Sequence, residues 1–190
     1  MKSYMLAFAM FVAWGVNFAQ AQSQDPDDLA YRNSRDSLYK WSDWQFLMGS
    51  WEGGGKGFAG EGSGKFTFRQ DLDGKVLVCT TEQQFAATST KAAFTYKSTI
   101  YIYLYGLTPR ADLFDNEGHF LNFRASISSS PHKVVLTSTE TTAGFPRFRF
   151  TYSEKSENQL AINFEISPAS SPTKYSSYIT GVVQKSVTSN

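Results

Sequence analysis

The feature of this sequence that most constrains its fold is a succession of short, strand-like segments that fills nearly all of the chain after Trp51. In each segment β-branched and aromatic residues alternate with polar ones, and turn-forming residues separate it from the next. Links this short join antiparallel neighbours, and a meander with no helices to cover it removes its open edges best by closing on itself. The sequence therefore predicts an all-β fold, a single antiparallel up-and-down β-barrel of about ten strands. The predicted strands are 51–58, 64–70, 75–85, 98–105, 110–114, 119–128, 133–139, 147–153, 159–167 and 174–185.

A short helix is predicted just before the first strand. Ser42 and Gln45 have the spacing of a capping box, and Gly49 provides a stop signal. The helix should cover residues 43–48 and either plug the barrel or lead into it.

Two segments interrupt the strand pattern. Seven glycines lie between positions 53 and 64, and glycine-rich strands suit the tight bends at barrel corners. A phosphate-binding loop is a weaker interpretation of these glycines, because no helix pattern follows them. The segment 86–97 is either an open loop at the barrel rim or a poorly marked eleventh strand, and the sequence leaves both open.

The N-terminus has the three parts of a secretory signal peptide, which we place at residues 1–21. A single positive charge at Lys2 precedes an uncharged apolar run, and small residues precede a cleavage site after Ala21. The apolar run is short for a bilayer-spanning helix. Residues 22–40 form a polar lead-in, and 41–187 form the barrel domain. The mature protein is expected to be periplasmic or extracellular and to have no membrane span.

Composition and charge limit the classes of protein to which this chain can belong. A chain of 190 residues that is 41% hydrophobic supports one sizeable core and therefore one domain. The formal net charge of +1, which falls to zero without Lys2, offers no attraction to a phosphate backbone, so nucleic acid is excluded as a partner. Cys79 is the single cysteine, so no intrachain disulfide can form, and its place in a strand predicts a buried, inert thiol.

Several local patterns resemble a known superfamily. Residues 44–53 join a short helix to a Gly-Ser-Trp element at 49–51 and a glycine-rich strand. This opening resembles that of the calycin barrels, and more closely that of the nitrobindin-like branch. The turn and strand at 72–78 and the hairpin at 111–119 are similar to those of uncharacterised exported bacterial proteins. The resemblance covers 41–185 and implies a calycin-like barrel.

The resemblance also carries expectations about the cargo. Nitrobindins hold haem iron through a histidine late in the chain, whereas no histidine follows His132 here. No cofactor is therefore predicted, and haem is not expected. Lipocalin-type calycins hold apolar ligands in the barrel, so the fold-level analogy implies a small hydrophobic or amphipathic molecule as the partner.

A polar cluster on one predicted hairpin is the candidate metal site. One imidazole and several carboxylates, from Asp112, Asp115, Glu117 and His119, could together hold a divalent ion. The same segment can form a favourable turn without an ion, because Asp115 can accept a backbone N–H and Gly118 can take a positive φ. The sequence favours the plain turn. No catalytic residues are assigned, because the common hydrolase and zinc-protease motifs are missing from the sequence.

The sequence allows two arrangements of the side chains that point into the barrel. In the usual arrangement the aliphatic and Phe faces point inward and the polar faces meet water. In the alternative, arginine and tyrosine side chains point inward and pair with a carboxylate or another anion, since a buried guanidinium must be paired. A slip of one residue exchanges the faces, so the sequence leaves both arrangements open. The interior candidates from both are Trp51, Phe66, Phe68, Tyr101, Tyr103, Phe123, Arg124, Arg147, Phe148, Arg149, Phe150 and Phe164.

Three functions follow from these patterns. The favoured one is an exported, non-enzymatic barrel that binds a small apolar or amphipathic ligand in its interior. The second is an enzyme or metal site centred on the hairpin from Asp112 to His119. The third is an interaction or structural module with a filled barrel. The volume and polarity of the barrel interior distinguish them, because binding needs a cavity and a filled barrel has none.

Overall fold

The computed structural model describes residues 41–58, 60–89, 92–106, 108–139 and 144–186. Its ten strands form one closed antiparallel barrel, in which each strand pairs with its neighbours in sequence and β1 pairs with β10. The prediction of an all-β up-and-down barrel with a short helix before it is confirmed. The elements are a 3₁₀ helix (Trp41–Leu47) and strands β1 (Gly49–Gly57), β2 (Gly60–Asp71), β3 (Val76–Phe85), β4 (Phe94–Tyr105), β5 (Thr108–Asp115), β6 (Phe120–Ser129), β7 (His132–Ser138), β8 (Arg147–Ser156), β9 (Gln159–Ser167) and β10 (Ser176–Lys185).

The predicted signal peptide at 1–21 and the polar lead-in at 22–40 lie outside the described residues. Within the part of the chain that is described, no helix has both the length and the apolar character needed to cross a membrane.

Two local predictions need correction. The helix is a 3₁₀ helix and begins at Trp41, two residues earlier than predicted. It ends as expected before Gly49, whose φ of 109° suits glycine. Of the ambiguous segment 86–97, the end from Phe94 onward extends β4 and pairs with β3. The described residues before Phe94 contain no eleventh strand.

Glycines let the backbones of neighbouring strands approach closely in β1 and β2. A Cβ atom at Gly53 would lie 2.5 Å from the Val182 carbonyl oxygen, and one at Gly64 would lie 2.5 Å from that of Glu82. Real Cβ atoms do not approach backbone so closely, so a larger residue would push the strands apart. This close approach is the physical reason for glycine at these positions.

Inward-facing side chains fill the half of the barrel that lies next to the helix. Trp44, Leu47 and Trp51 are fully buried there, and the Trp51 Nε1–H donates a hydrogen bond of 2.7 Å to the Leu47 carbonyl oxygen. The helix is thereby fixed across what we call the plugged end. The opposite end, where β1 stops and β10 begins, is the open end. The other core residues near the plugged end include Phe68, Leu77, Ile102, Ala111, Phe123, Ala125, Val134, Leu136, Leu160 and Val183.

Candidate functional site

A cavity of about 750 Å³ occupies the open half of the barrel. Its floor includes Ile100, Phe150 and Tyr152, and its walls are formed by residues of β2, β3, β4, β5, β6, β8, β9 and β10. A concave, mostly apolar space of several hundred Å³ is typical of small-molecule sites. The aromatic residues that line the cavity are Phe66, Phe85, Phe94, Tyr96, Phe120, Phe145, Phe148, Phe150, Tyr152, Phe164 and Tyr178.

Two pairs of stacked aromatic rings belong to the lining of this cavity. Phe85 of β3 stacks on Phe94 of β4 with ring centroids 4.7 Å apart, and Phe150 of β8 stacks on Phe164 of β9 at 4.4 Å. In the closed ring of strands, β3 and β8 lie opposite each other, and so do β4 and β9. The first pair lies at the open end, where β3 stops and β4 begins, and the second lies deeper, at the floor.

One polar corner interrupts the apolar lining where β4 and β5 run side by side. Ser98 pairs with Asp115 across the two strands, and Tyr96 lies on the same inward face of β4 as Ser98. Burial raises the pKa of the Tyr96 phenol, and the nearby Asp115 charge and its hydrogen bond with Tyr96 raise this pKa further, against a hydrogen bond from Ser98. The phenol is therefore neutral and can donate to the carboxylate.

Hydrogen bonds hold the Asp115 carboxylate at the edge of the cavity, with its side chain only 4% exposed. Its Oδ1 accepts the backbone N–H groups of Glu117 at 3.0 Å and His119 at 2.9 Å, and its Oδ2 lies 2.9 Å from His119 Nδ1. Burial by itself would raise the pKa of this carboxyl, but the hydrogen bonds outweigh burial and hold the pKa below its ordinary value. Asp115 therefore presents a fixed negative charge at neutral pH.

The charged groups of the cavity lining are mainly carboxylates. Among the described residues that line the cavity, Asp115 and Glu117 carry carboxylates and none is Lys or Arg. The cavity is thus acidic at one corner, and elsewhere its lining is mostly apolar with neutral polar residues such as Gln83 and Asn163.

Buried neutral groups form the layer beneath the cavity. Burial raises the pKa of the Cys79 thiol to about 12, and hydrogen bonds with Thr81 and Tyr152 offset only part of that rise. Burial also raises the pKa of the Tyr152 phenol well above its ordinary value, and the adjacent Cys79 adds to the effect. Neither group is ionised near neutral pH, so this layer supplies no nucleophile or base.

The predicted aromatic interior residues divide between the two halves of the barrel. Phe66, Phe148, Phe150 and Phe164 line the cavity. The other three, Trp51, Phe68 and Phe123, are buried in the core beneath it. Phe68 packs edge-on against Tyr152 at 5.4 Å, and Phe123 packs edge-on against Phe150 at 5.7 Å, so they support the floor.

The predicted inward arginines and tyrosines lie on the outer face of the barrel, which corrects that arrangement. The reason is the register: in β8 the cavity-lining Phe148 and Phe150 alternate with the arginines, and in β4 the inward Ile100 and Ile102 alternate with the tyrosines. The residues placed outside are Tyr101, Tyr103, Arg124, Arg147 and Arg149.

On the outer face of the barrel, the Arg149 guanidinium has partners from neighbouring residues. Its Nε and Nη2 each donate a hydrogen bond of 2.7 Å to the Glu165 carboxylate on the neighbouring strand. Its guanidinium also lies 4.1 Å from the centre of the Tyr175 ring. The arginine is thus paired by protein groups and does not need an anionic ligand.

The candidate metal residues are only partly brought together. Ligand atoms of Asp115, Glu117 and His119 lie within 4.8 Å of one another. Asp112 lies on the outer face, where its carboxylate accepts hydrogen bonds from Tyr103 at 2.9 Å and Asn122 at 2.7 Å. The bonds from Glu117 and His119 to Asp115 are those of the plain turn that the sequence favoured.

Several cavity residues were missed by sequence reasoning. Phe94 and Tyr96 fell in the segment that was left between loop and strand, although their alternation with Thr95 and Lys97 is a usable strand signal. Tyr178 is adjacent to a bulge in β10, and a bulge moves side chains out of the simple alternation.

Neither a protein-family model nor a curated protein matches the sequence. Among solved structures, the crystal structure of Rv2717c from M. tuberculosis is similar, with a TM-score of 0.56 at 13% identity. The match covers 77% of this chain and 97% of that chain. At so low an identity the likeness shows a shared barrel fold and nothing further.

Engineered barrels give weaker matches. A barrel described as EF1p2_mFAP2b bound to DFHBI has a TM-score of 0.38 at 12% identity, covering 76% of this chain and 97% of that chain. A fluorescence-activating β-barrel designed de novo has a TM-score of 0.39 at 13% identity, covering 75% of this chain and 95% of that chain. Scores this low carry no functional argument.

Proposed function

We propose that this protein is a non-enzymatic binding protein that holds a small apolar or amphipathic molecule in the open half of its barrel. The observation that carries this proposal is the cavity of about 750 Å³ with its largely aromatic lining. Burying an apolar molecule there removes both its surface and the exposed rings from water, which is the main source of affinity in such sites.

Glycines support this proposal because one wall of the cavity has no side chains there that would fill the space. Gly55, Gly62 and Gly181 are paired across the adjacent strands β10, β1 and β2 at the level of the cavity. A Cβ atom at Gly62 would lie 2.8 Å from the Phe85 ring, so only glycine leaves that ring its present place. A module with a filled barrel would need bulky residues at such positions.

We further infer that the chain is an exported, nitrobindin-like calycin. The support is the Gly-Ser-Trp element at 49–51 and the signal-peptide pattern at 1–21. Export is tested by expressing the full chain in a bacterium and measuring the mass of the mature protein, which should begin at Gln22. Recovery of the intact chain from the cytoplasm alone would contradict it.

Haem, which a nitrobindin-like relationship would imply, is a poor fit to the residues of this cavity. His119 is the imidazole among the described lining residues, and its side chain is 59% exposed at the mouth of the barrel. Haem propionates pair well with Arg or Lys, whereas Asp115 and Glu117 stand at that corner. We therefore assign no haem to the cavity.

Binding is tested with Nile red, a neutral dye whose emission rises in apolar surroundings. Ile179 lines the cavity from β10 and faces the glycine wall, so the bulkier ring in Ile179→Trp should block part of the cavity and weaken Nile red binding at least about tenfold. The matched control is Thr180→Trp, which adds the same side chain at the exposed neighbouring position.

The titration is read by Nile red emission, with far-UV circular dichroism to show that each variant keeps its strands. Equal affinity in the two variants would show that the dye binds elsewhere and would remove the proposal. Native mass spectrometry of protein from its own host complements the titration, because a co-purified molecule reports its own mass.

A further inference from the structure

We propose that the cavity selects an apolar molecule that carries a protonated amine, with the amine placed at the Asp115 corner and the apolar part against the aromatic lining. This inference rests on the proposed function and adds the chemical class of the ligand. Three features carry it: the sign of the charge in the lining, the position of the carboxylate, and the aromatic residues of the lining.

The sign of the charge excludes the opposite class of ligand. An amphiphile with a carboxylate or phosphate head would bring its negative charge next to Asp115 and Glu117, with no Lys or Arg among the described lining residues to pair it. Like charges this close in a partly desolvated site are unfavourable. The inner surface therefore favours cations and disfavours anions.

The position of the carboxylate suits a single amine. Asp115 Oδ1 is occupied by two backbone N–H groups, whereas Oδ2 meets His119 Nδ1 at the mouth. Tyr96 reaches the same carboxylate from the cavity side. A protonated amine entering there would replace or share these contacts and form a charge-assisted hydrogen bond with little change in the protein.

The aromatic lining suits the apolar part of the same molecule. Phe85 and Phe94 lie at the open end of the barrel, and Phe150 and Phe164 lie deeper in the cavity. A molecule whose amine is at Asp115 can cover these rings and remove their apolar surface from water. The lining and the carboxylate therefore both favour an amphipathic cation.

The test compares three naphthalene probes with a cationic, a neutral and an anionic polar group: naphthylmethylamine, naphthylmethanol and naphthoate. Each competes with Nile red at neutral pH. The amine is expected to bind at least about tenfold more tightly than naphthoate, with the alcohol between them, as one charge-assisted hydrogen bond predicts. In Asp115→Asn most of this preference should disappear, with each probe compared with the Nile red affinity of the variant itself.

The matched control is Asp112→Asn on the outer face of the same strand, which should keep the wild-type order of affinities. If Nile red itself does not bind the wild-type protein, the proposed function fails. If Nile red binds but naphthoate competes as well as the amine, the ligand class alone is wrong. The wild-type order decides this even if Asp115→Asn does not fold, and a preference that survives in a folded Asp115→Asn protein would also overturn the role of Asp115.

Discussion

At the scale of single residues, burial decides which side chains are chemically available. Cys79 lies on the inner face of β3 with no exposed surface, beneath the cavity and beside Tyr152. Asp115, in contrast, lies at the cavity edge, where hydrogen bonds keep the carboxylate charged. Cys79 therefore contributes to packing, whereas the Asp115 carboxylate is available to a ligand, although both side chains face inward.

The Cys79 thiol should resist alkylation in the folded protein. Its pKa of about 12 leaves almost no thiolate at pH near 8, and burial blocks access to it. Iodoacetamide labelling, followed by mass spectrometry, should be at least about a hundredfold slower than in guanidinium-unfolded protein. Because Cys79 is the single cysteine, the unfolded sample is a complete control. Equal labelling rates in the two states would show that the thiol is accessible and would contradict this burial.

The sequence could identify residue types for the interior but not their level in the barrel. Phe150 and Phe123 both alternate with polar neighbours, yet one lines the cavity and the other lies in the core below it. Which level a residue occupies depends on how far each strand is shifted along its neighbours. That shift is set by pairings between strands, and the alternation within one strand carries no record of it.

At the scale of secondary-structure elements, the glycines of the glycine-rich strands have a cost in backbone entropy and allow neighbouring strands to approach closely. Glycines weaken an isolated strand, because they lose more backbone entropy on folding than other residues. Here they allow β1, β2 and β10 to approach so closely that a side chain would meet the neighbouring backbone. The number of glycines in the sequence indicates that this part of the barrel wall is unusual. The strands that crowd each glycine became evident only from the register.

Gly64→Ala should destabilise the barrel by about 1–3 kcal/mol, the range for overpacked or strained positions. The added Cβ would lie 2.5 Å from the Glu82 carbonyl oxygen, so β2 and β3 must move apart. The control is Ser63→Ala at the exposed neighbouring position, which should change the free energy of unfolding by less than about 0.5 kcal/mol. Urea denaturation monitored by tryptophan fluorescence measures both. Equal midpoints for the two variants would mean that the strands accommodate a Cβ without cost.

At the scale of the whole molecule, the barrel separates two tasks along its axis. The plugged half buries the helix and the large aliphatic and aromatic residues, and provides a rigid base. The open half leaves its rings exposed to a cavity. The closed topology was predictable, because ten alternating segments with short links have few other ways to hide their edges. The open interior was not, since it depends on residues from most of the strands at one level.

The distribution of charge across the barrel wall leads to a last prediction about haem. The described arginines predicted to point inward lie outside, while Asp115 and Glu117 line the cavity, so the interior repels the propionates of haem. Titration of the protein with hemin should give no sharp Soret band of a histidine-bound iron, and hemin should displace Nile red less well than naphthylmethylamine does. Serum albumin serves as the hemin-binding control. A sharp Soret shift that is lost in His119→Ala would contradict this prediction, because it would place iron at the one imidazole that lines the described cavity.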